Sequence, residues 1–292
     1  MGGVWNLRFP FKLRLIADAV IIRHTLFSLP FVLAAVLLET NGRPSAWKVL
    51  WIVLAAVGAR NAANSFNRLA DRDIDAKNPR TAGRHLPSGR LSPRDLRIFT
   101  AAMLLLFCVS AAMLNWLCVA LLPVAGVLVF GYSYAKRFTW MSHFWLGIAC
   151  CSGTMGAFLG LTGQFHFRYF LFAGAVALWV TGFDILYALQ DIEVDRAQGL
   201  KSIPSRFGPK LGRICAAACH VGTIYGLAVT PFFWDVGYPF IVGLAAAACM
   251  LIVEQIVALG GTERHIRIAA YGINEIIPLI VLAGCAIDIY LL

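Results

Sequence analysis

Read for apolar and polar positions, the chain is a succession of long unbroken apolar runs separated by short polar segments. Nine runs reach or approach the roughly 20 residues a helix needs to cross a bilayer. They cover 22–40, 45–70, 94–114, 117–135, 141–162, 168–190, 211–231, 237–259 and 271–291. The apolar residues are continuous and do not alternate one by one, which argues against the strands of a membrane barrel. The pattern predicts an all-α, polytopic membrane protein: nine transmembrane helices bundled around a central cavity, in a single domain over 1–292. Residues 1–21 form a basic segment expected to lie on the membrane surface as an amphipathic helix. Arg8, Lys12, Arg14 and Arg23 interrupt the first stretch, so no cleavable signal peptide is expected.

Composition agrees with this pattern. Hydrophobic residues make up 60% of the 292 and charged residues only 14%, against about 25% charged in a typical soluble domain. The net charge of +10 raises nucleic acid as a partner, but its distribution points to a bilayer. Twenty-one of the 25 Lys and Arg fall at the N-terminus or in the connections after the second, fourth, sixth and eighth runs; Arg43, Lys48 and Arg168 fall on the other side. The basic-loop rule then places the N-terminus and those connections in the cytoplasm, with a (inner) cell membrane as the expected location. No soluble module remains to present a basic face to nucleic acid. The eight cysteines all lie in or beside apolar runs with no metal-ligand spacing, and read as small core residues.

Acidic residues change the picture. The chain has 15, and seven fall in two short windows: Asn67-Arg-Leu-Ala-Asp71-Arg-Asp73-Ile-Asp75, and Asp184-Ile-Leu-Tyr187-Ala-Leu-Gln-Asp191-Ile-Glu193-Val-Asp195. Both sit at cytoplasmic ends of apolar runs. On a continuous helix Asn67, Asp71 and Asp75 share one face, as do Asp184, Tyr187, Asp191 and Asp195. Stacked carboxylates repel and call for a counter-charge. Oxygen ligands on two facing helices suit Mg²⁺, which binds few carboxylates and completes its shell with substrate phosphate. Simple pairing of these acids with Arg68, Arg72 and Arg196 is the plainer alternative. Asp73 and Glu193 fall off the main faces. Basic, turn-rich loops follow each window, 77–90 and 196–208, placed to cap the site and contact phosphate.

Arg60 stands mid-run, where an arginine costs on the order of 3 kcal/mol on insertion scales, so it is expected to face a polar cavity. It lies two turns deeper than Asn67 on nearly the same face and can clamp a carboxylate bidentately. A structural pair to Glu39 or Glu254 is the alternative. Tyr132 and Lys136, one turn apart, are expected at the same mouth, Lys136 as a diphosphate ligand.

These residues resemble the UbiA superfamily of intramembrane aromatic prenyltransferases. The resemblance spans nearly the whole chain: both acidic motifs, Arg80-Thr…Arg84-His-Leu-Pro-Ser-Gly, and Tyr132-Ser-Tyr-Ala-Lys136-Arg137. Gln190-Asp191 with Ser202-Ile-Pro-Ser-Arg206-Phe-Gly looks most like the 4-hydroxybenzoate polyprenyltransferase branch. The resemblance implies that Asn67, Asp71 and Asp75 hold one Mg²⁺ and Asp191 and Asp195 another, and that Lys136 and Arg84 contact diphosphate. It further implies that Arg60 binds the acceptor's carboxylate and that Asp184 and Tyr187 line the cavity near the reacting carbons. The implied reaction moves a polyprenyl group from its diphosphate to an aromatic acid in quinone biosynthesis. The acceptor is 4-hydroxybenzoate, or alternatively 1,4-dihydroxy-6-naphthoate for menaquinone. A cation-coupled transporter also uses intramembrane carboxylates. Its acids, however, belong at the midplane of inverted repeats, whereas here both motifs fall at one membrane face in a parallel repeat.

Overall fold

The computed structural model describes residues 14–20 and 25–291, with the side chains of 25–27 excepted. Most of the expected N-terminal surface segment, including Arg8, Lys12 and Arg23, therefore lies outside the described residues; within it, 14–19 form a short helix, α1. The chain then runs α2 (Thr25–Thr40), α3 (Ala46–Ala70), α4 (Arg72–Lys77), α5 (Pro93–Leu114), α6 (Trp116–Ala120) and α7 (Leu122–Phe138). It continues through α8 (Ser142–Thr162), α9 (Phe167–Ala188), α10 (Ile192–Ala197), α11 (Ile203–Ala228), α12 (Tyr238–Ala258), α13 (Glu263–Arg267) and α14 (Ile277–Leu291). No strand occurs among the described residues.

Seven helical stretches are long and apolar enough to cross a membrane: Ala46–Ala70, Pro93–Leu114, Ser142–Thr162, Phe167–Ala197, Ile203–Phe232, Tyr238–Ala258 and Glu263–Leu291. The other two expected spans are shorter pieces. The apolar part of α2 covers Ser28–Thr40, and the start of the 22–40 span lies outside the described residues. The 117–135 span is divided into α6 and α7. The Asn115 side chain caps α6 by accepting from the Cys118 N–H at 3.0 Å. Pro123, in the first turn of α7, has no N–H to continue the ladder from α6.

Packing sets the motifs together. α9 lies between α8 and α11, α3 lies on α5, and α2 rests against α8 and α14. The α8–α9 contact is unusually close because Gly147 has no side chain: a Cβ there would stand 2.3 Å from Thr181 Oγ1 and 2.4 Å from the Ala177 carbonyl. Small residues allow this kind of backbone approach in membrane bundles. α11 begins with Ser202 and Ser205 in a reciprocal cap, and bends where Gly208 takes φ +85° ahead of Pro209, a left-handed conformation open to glycine.

The aromatic core gathers at the end of the bundle away from the acidic motifs. Phe158 stacks on Tyr169 with ring centroids 4.4 Å apart and on Trp234 at 5.5 Å. Glu39 pins this end by accepting from Arg168 Nη2 and Tyr169 Oη, each at 2.7 Å, and from Trp234 Nε1 at 3.0 Å. With its capacity so used, and Glu254 accepting from Asn274 Nδ2 at 2.9 Å, neither carboxylate is a partner of Arg60.

Candidate active site

Each acidic motif straddles a helix break at its middle aspartate. α3 ends at Ala70, Asp71 adopts φ −98°, ψ 10°, and the six-residue α4 follows. α9 ends at Ala188, a 3₁₀ turn spans Leu189–Asp191, Asp191 adopts φ −104°, ψ 5°, and the six-residue α10 follows. The single continuous helical face expected for each motif is therefore bent at the same place in both. In α4 and α10 the last aspartate, Asp75 or Asp195, turns inward and is buried, while Asp73 and Glu193 face solvent. The two halves of the chain thus repeat one local design in parallel.

The loops after the motifs return to the acids. Arg84 Nη1 donates to both carboxylate oxygens of Asp75 at 2.7 Å, and Arg68 Nη1 stands 3.7 Å from the same group. Arg80 crosses to the second motif. Its Nη2 donates to Asp191 Oδ2 at 2.7 Å, its Nε to Oδ1 at 3.1 Å, and its Nη1 to the Tyr187 hydroxyl at 2.6 Å. Asn78 Nδ2 also donates to Asp191 at 3.3 Å. Burial opposes the charge of Arg80, but the Tyr187 oxygen and the Asp191 carboxylate outweigh it, so the guanidinium is held protonated above its ordinary range. Asp71 accepts from Asn67 Nδ2 at 2.9 Å and from Arg137 at 3.3 Å. Burial nonetheless pushes its carboxyl up from the usual range, Arg137 offsetting part of the effect. Asp195 accepts from the Ser202 hydroxyl at 2.9 Å, which ties α10 to the cap of α11.

Lys136, at the end of α7, brings its ammonium into the field of Asp195, Asp184, Asp191 and Asp71 together. It is the cation shared by both motifs. The Lys136 carbonyl accepts from the Lys201 N–H at 2.7 Å, so the second loop is fastened to the same helix end. Asp184 pairs with His143 Nδ1 at 2.6 Å, and Tyr187 meets Tyr271 edge-on at 5.0 Å.

Deeper in the bundle, Arg60 shares a small pocket of about 60 Å³ with Ser28, Asn64, Tyr132, Leu146 and Cys150. Its Nη1 lies 3.3 Å from Cys150 Sγ, its buried Nε has no acceptor, and among the described residues it has no carboxylate partner. The pocket shares Ala56, Ala59, Ser152 and Gly153 with an apolar chamber of about 520 Å³ between α3, α5, α7, α8 and α9, lined further by Phe107, Leu128 and Met155. A polar niche thus adjoins a chamber suited to a hydrocarbon chain, beneath two acidic helix breaks.

The sequence pattern of the UbiA prenyltransferase family matches residues 28–275. The chain belongs to that family. It is a prenyltransferase and a multi-pass membrane protein. A 4-hydroxybenzoate octaprenyltransferase of Saccharophagus degradans is 30% identical over 252 residues, covering 86% of this chain and 83% of that protein. The apo structure of a UbiA homolog from Aeropyrum pernix K1 superposes with a TM-score of 0.84 at 33% identity, covering 91% of this chain and 98% of that one. The fold is also that of a UbiA homolog from Archaeoglobus fulgidus bound to GPP and Mg²⁺, with a TM-score of 0.64 at 18% identity, covering 94% and 99% of the two chains.

The structure gathers ten of the eleven expected residues into two connected groups; the eleventh, Asp184, is paired with His143. Asn67, Asp71, Asp75, Arg84, Lys136, Tyr187, Asp191 and Asp195 surround the mouth; Arg60 and Tyr132 line the niche below. Among the described residues, no three His, Cys, Asp or Glu side chains stand close enough to hold a metal by themselves. The acids are instead shared with arginines. The donor set is oxygen only, which fits a hard cation that keeps positions open for phosphate oxygens. The sequence assigned no site role to His143, Asn78, Arg137 or Ser202, although the last two stand in segments that carry the resemblance, and it did not show that Arg80 crosses to the second motif. Arg80 carried a signal in its basic loop; His143 had none, being a lone histidine in an apolar run.

Proposed function

We propose that this prenyltransferase moves a polyprenyl group from a polyprenyl diphosphate to 4-hydroxybenzoate, with Mg²⁺, in quinone biosynthesis, its site facing the cytoplasm from the inner cell membrane. The observation that carries the acceptor is Arg60: a guanidinium with no carboxylate partner among the described residues, in a niche that opens on an apolar chamber. Such a group is costly in a membrane unless a ligand's carboxylate completes it. The name of the S. degradans relative favours the single-ring acid over 1,4-dihydroxy-6-naphthoate.

On this reading the prenyl chain lies in the chamber and its diphosphate at the mouth. Asn67, Asp71 and Asp75 would hold one Mg²⁺, and Asp191 and Asp195 a second. When bound, the ions neutralise charge building on the departing diphosphate. Lys136, Arg80 and Arg84 are the chain's own cations at that point and stabilise the same developing charge. Apolar and aromatic walls keep water from the allylic cation. Arg60 orients the acceptor by its carboxylate so that the ring carbon beside the phenol oxygen faces the cation.

The test is an assay of purified protein in detergent with geranyl diphosphate and Mg²⁺. 4-Hydroxybenzoate and 1,4-dihydroxy-6-naphthoate are offered separately and products read by mass spectrometry. A prenylated hydroxybenzoate that disappears with EDTA is expected. Product from the naphthoate alone would overturn the acceptor assignment.

A further inference from the structure

His143 is fully buried in the first turn of α8, yet its imidazole reaches Asp184, the first acid of the second motif. Nδ1 lies 2.6 Å from Asp184 Oδ2, and Nε2 has no hydrogen-bond partner among the described residues. An ionised carboxylate can only accept, so Nδ1 carries the proton of this bond. Asp184 keeps 21% of its side chain exposed, and its Oδ1 makes no hydrogen bond among the described residues. Lys136 at the mouth, Tyr271, and Cys150 in the Arg60 niche all feel the charge of Asp184, so the carboxylate stands within the field of both groups.

The arrangement is built into the backbone. Gly147 lies one turn after His143, and Thr181 one turn before Asp184, and the two meet so closely that a Cβ on Gly147 would stand 2.3 Å from Thr181 Oγ1. Thr181 Oγ1 also donates to the His143 carbonyl at 3.3 Å. The bare glycine lets the helices come together where the histidine must reach the aspartate. One carboxylate oxygen is fixed by the histidine, and the other has no hydrogen bond among the described residues on a side chain that stays 21% exposed.

We propose that His143 is a positioning residue that holds Asp184 with its free oxygen toward the acceptor ring, so that Asp184 takes the ring proton in the last chemical step. This rests on the aromatic-acid reading above. The bookkeeping closes. The allylic C–O bond breaks with its electron pair leaving on diphosphate, and a ring carbon of the acceptor forms the new C–C bond. The C–H bond at that carbon then breaks, its electrons restoring aromaticity and its proton passing to Asp184 Oδ1. The Nδ1–H bond to Oδ2 fixes the direction from which that oxygen presents its lone pair. Asp184 is the catalytic residue of the pair, and His143 acts through it.

The experiment compares His143→Asn, whose amide nitrogen falls near Nδ1, with His143→Gln, whose amide falls near Nε2, and with His143→Ala. Each is assayed with 4-hydroxybenzoate and with the acid deuterated at both carbons beside the phenol oxygen. In the wild-type protein, loss of the proton follows the demanding ionisation step, so an isotope effect near 1 is expected. The Gln and Ala proteins should lose at least about tenfold in kcat, a part of the roughly 10²–10⁴-fold that proton-transfer catalysis contributes, and show an isotope effect above about 2 as deprotonation becomes slow. The Asn protein should stay within a few-fold of wild type with an isotope effect near 1. Equal behaviour of Asn and Gln, or an isotope effect of 1 throughout, overturns the proposal; a purely structural role for His143 would lower the yield of active protein without exposing the C–H step. Should the Ala protein not purify as a single species, the Asn and Gln proteins, both polar and of similar bulk, decide alone. Failure of the underlying reading looks different: the wild-type protein then makes no prenylated acid at all, and the inference falls with it.

Discussion

Replacing Arg60 by Met should separate acceptor recognition from every other step. The guanidinium has one weak contact, Nη1 to Cys150 Sγ at 3.3 Å, and a buried Nε with no acceptor. Removing it breaks no ion pair among the described residues, and relieves an insertion cost of about 3 kcal/mol. Arg60→Met should therefore insert and melt at or above the wild-type temperature. The bound acceptor would lose a charge-assisted, two-point contact. Hydrogen bonds to charged groups contribute about 1.5–3 kcal/mol each. Setting the stronger estimate against the solvation the free acid regains leaves about 3 kcal/mol, or roughly 100-fold in kcat/KM at about 1.4 kcal/mol per decade. The KM for geranyl diphosphate should not move, because the mouth and the niche are separate groups of residues. The assay is steady-state prenylation in detergent with 4-hydroxybenzoate and, in parallel, with 4-hydroxybenzaldehyde, which keeps the phenol but lacks the carboxylate. The variant should lose its preference for the acid and handle the aldehyde about as wild type does. A loss of less than threefold with the acid, or equal losses with both acceptors, would refute the role assigned to Arg60.

Asp71→Ala and Asp191→Ala should each reduce turnover to background while the protein still inserts and purifies as one species; full activity in either would sink the metal assignment, and EDTA should mimic both changes reversibly on adding Mg²⁺. Arg80→Lys keeps a charge but loses the fork that binds both oxygens of Asp191, so it should lower the melting temperature in detergent by the equivalent of roughly 2 kcal/mol, a discounted figure for a partly exposed pair, and depress kcat with it. Glu39→Ala removes the acceptor of Arg168, Tyr169 and Trp234 at the far end of the bundle; it should cost about 2–3 kcal/mol of stability with kcat/KM per folded molecule unchanged, and a specific loss of activity would show that the two ends are coupled.

Much of this site was legible because charge is expensive in an apolar chain. With 14% charged residues, each carboxylate in an apolar run needs a reason, and the spacing of Asp71 to Asp75 and of Asp191 to Asp195 supplied one. Arg60 was conspicuous on the same ground. Helix counting was less secure, because hydropathy averages over windows that do not register a break. Residues 117–135 are apolar throughout, yet Asn115 and Pro123 divide them into α6 and α7. Partner identity was legible only in part: of Arg68, Arg72 and Arg196, expected beside the acids, Arg68 stands 3.7 Å from Asp75 while Arg196 donates to the Ser205 carbonyl. Arg68, Arg72, Arg84 and Arg80 read alike in sequence, but only the folded loop shows that Arg84 returns to its own motif while Arg80 crosses to the other.

The bend at each middle aspartate explains why the motif spacing is four residues twice over and still not a plain helical face. On an unbroken α3, Asp71 and Asp75 would rise about 6 Å apart along the axis at 1.5 Å per residue, side by side on one surface. With the break at Asp71, α4 turns Asp75 inward to a buried position, where Arg84 holds it. The same break at Asp191 sends Asp195 inward to Ser202. In the proposed reading, the two acids separated by each bend reach the diphosphate from different directions, and the two motifs do so from the two halves of the chain. In the proposed reaction a diphosphate needs that enclosure: charge spread over several oxygens is met from both sides only if the carboxylates, through their cations, converge on it. Straight helices would have presented two parallel acidic stripes; the bent ones present a mouth.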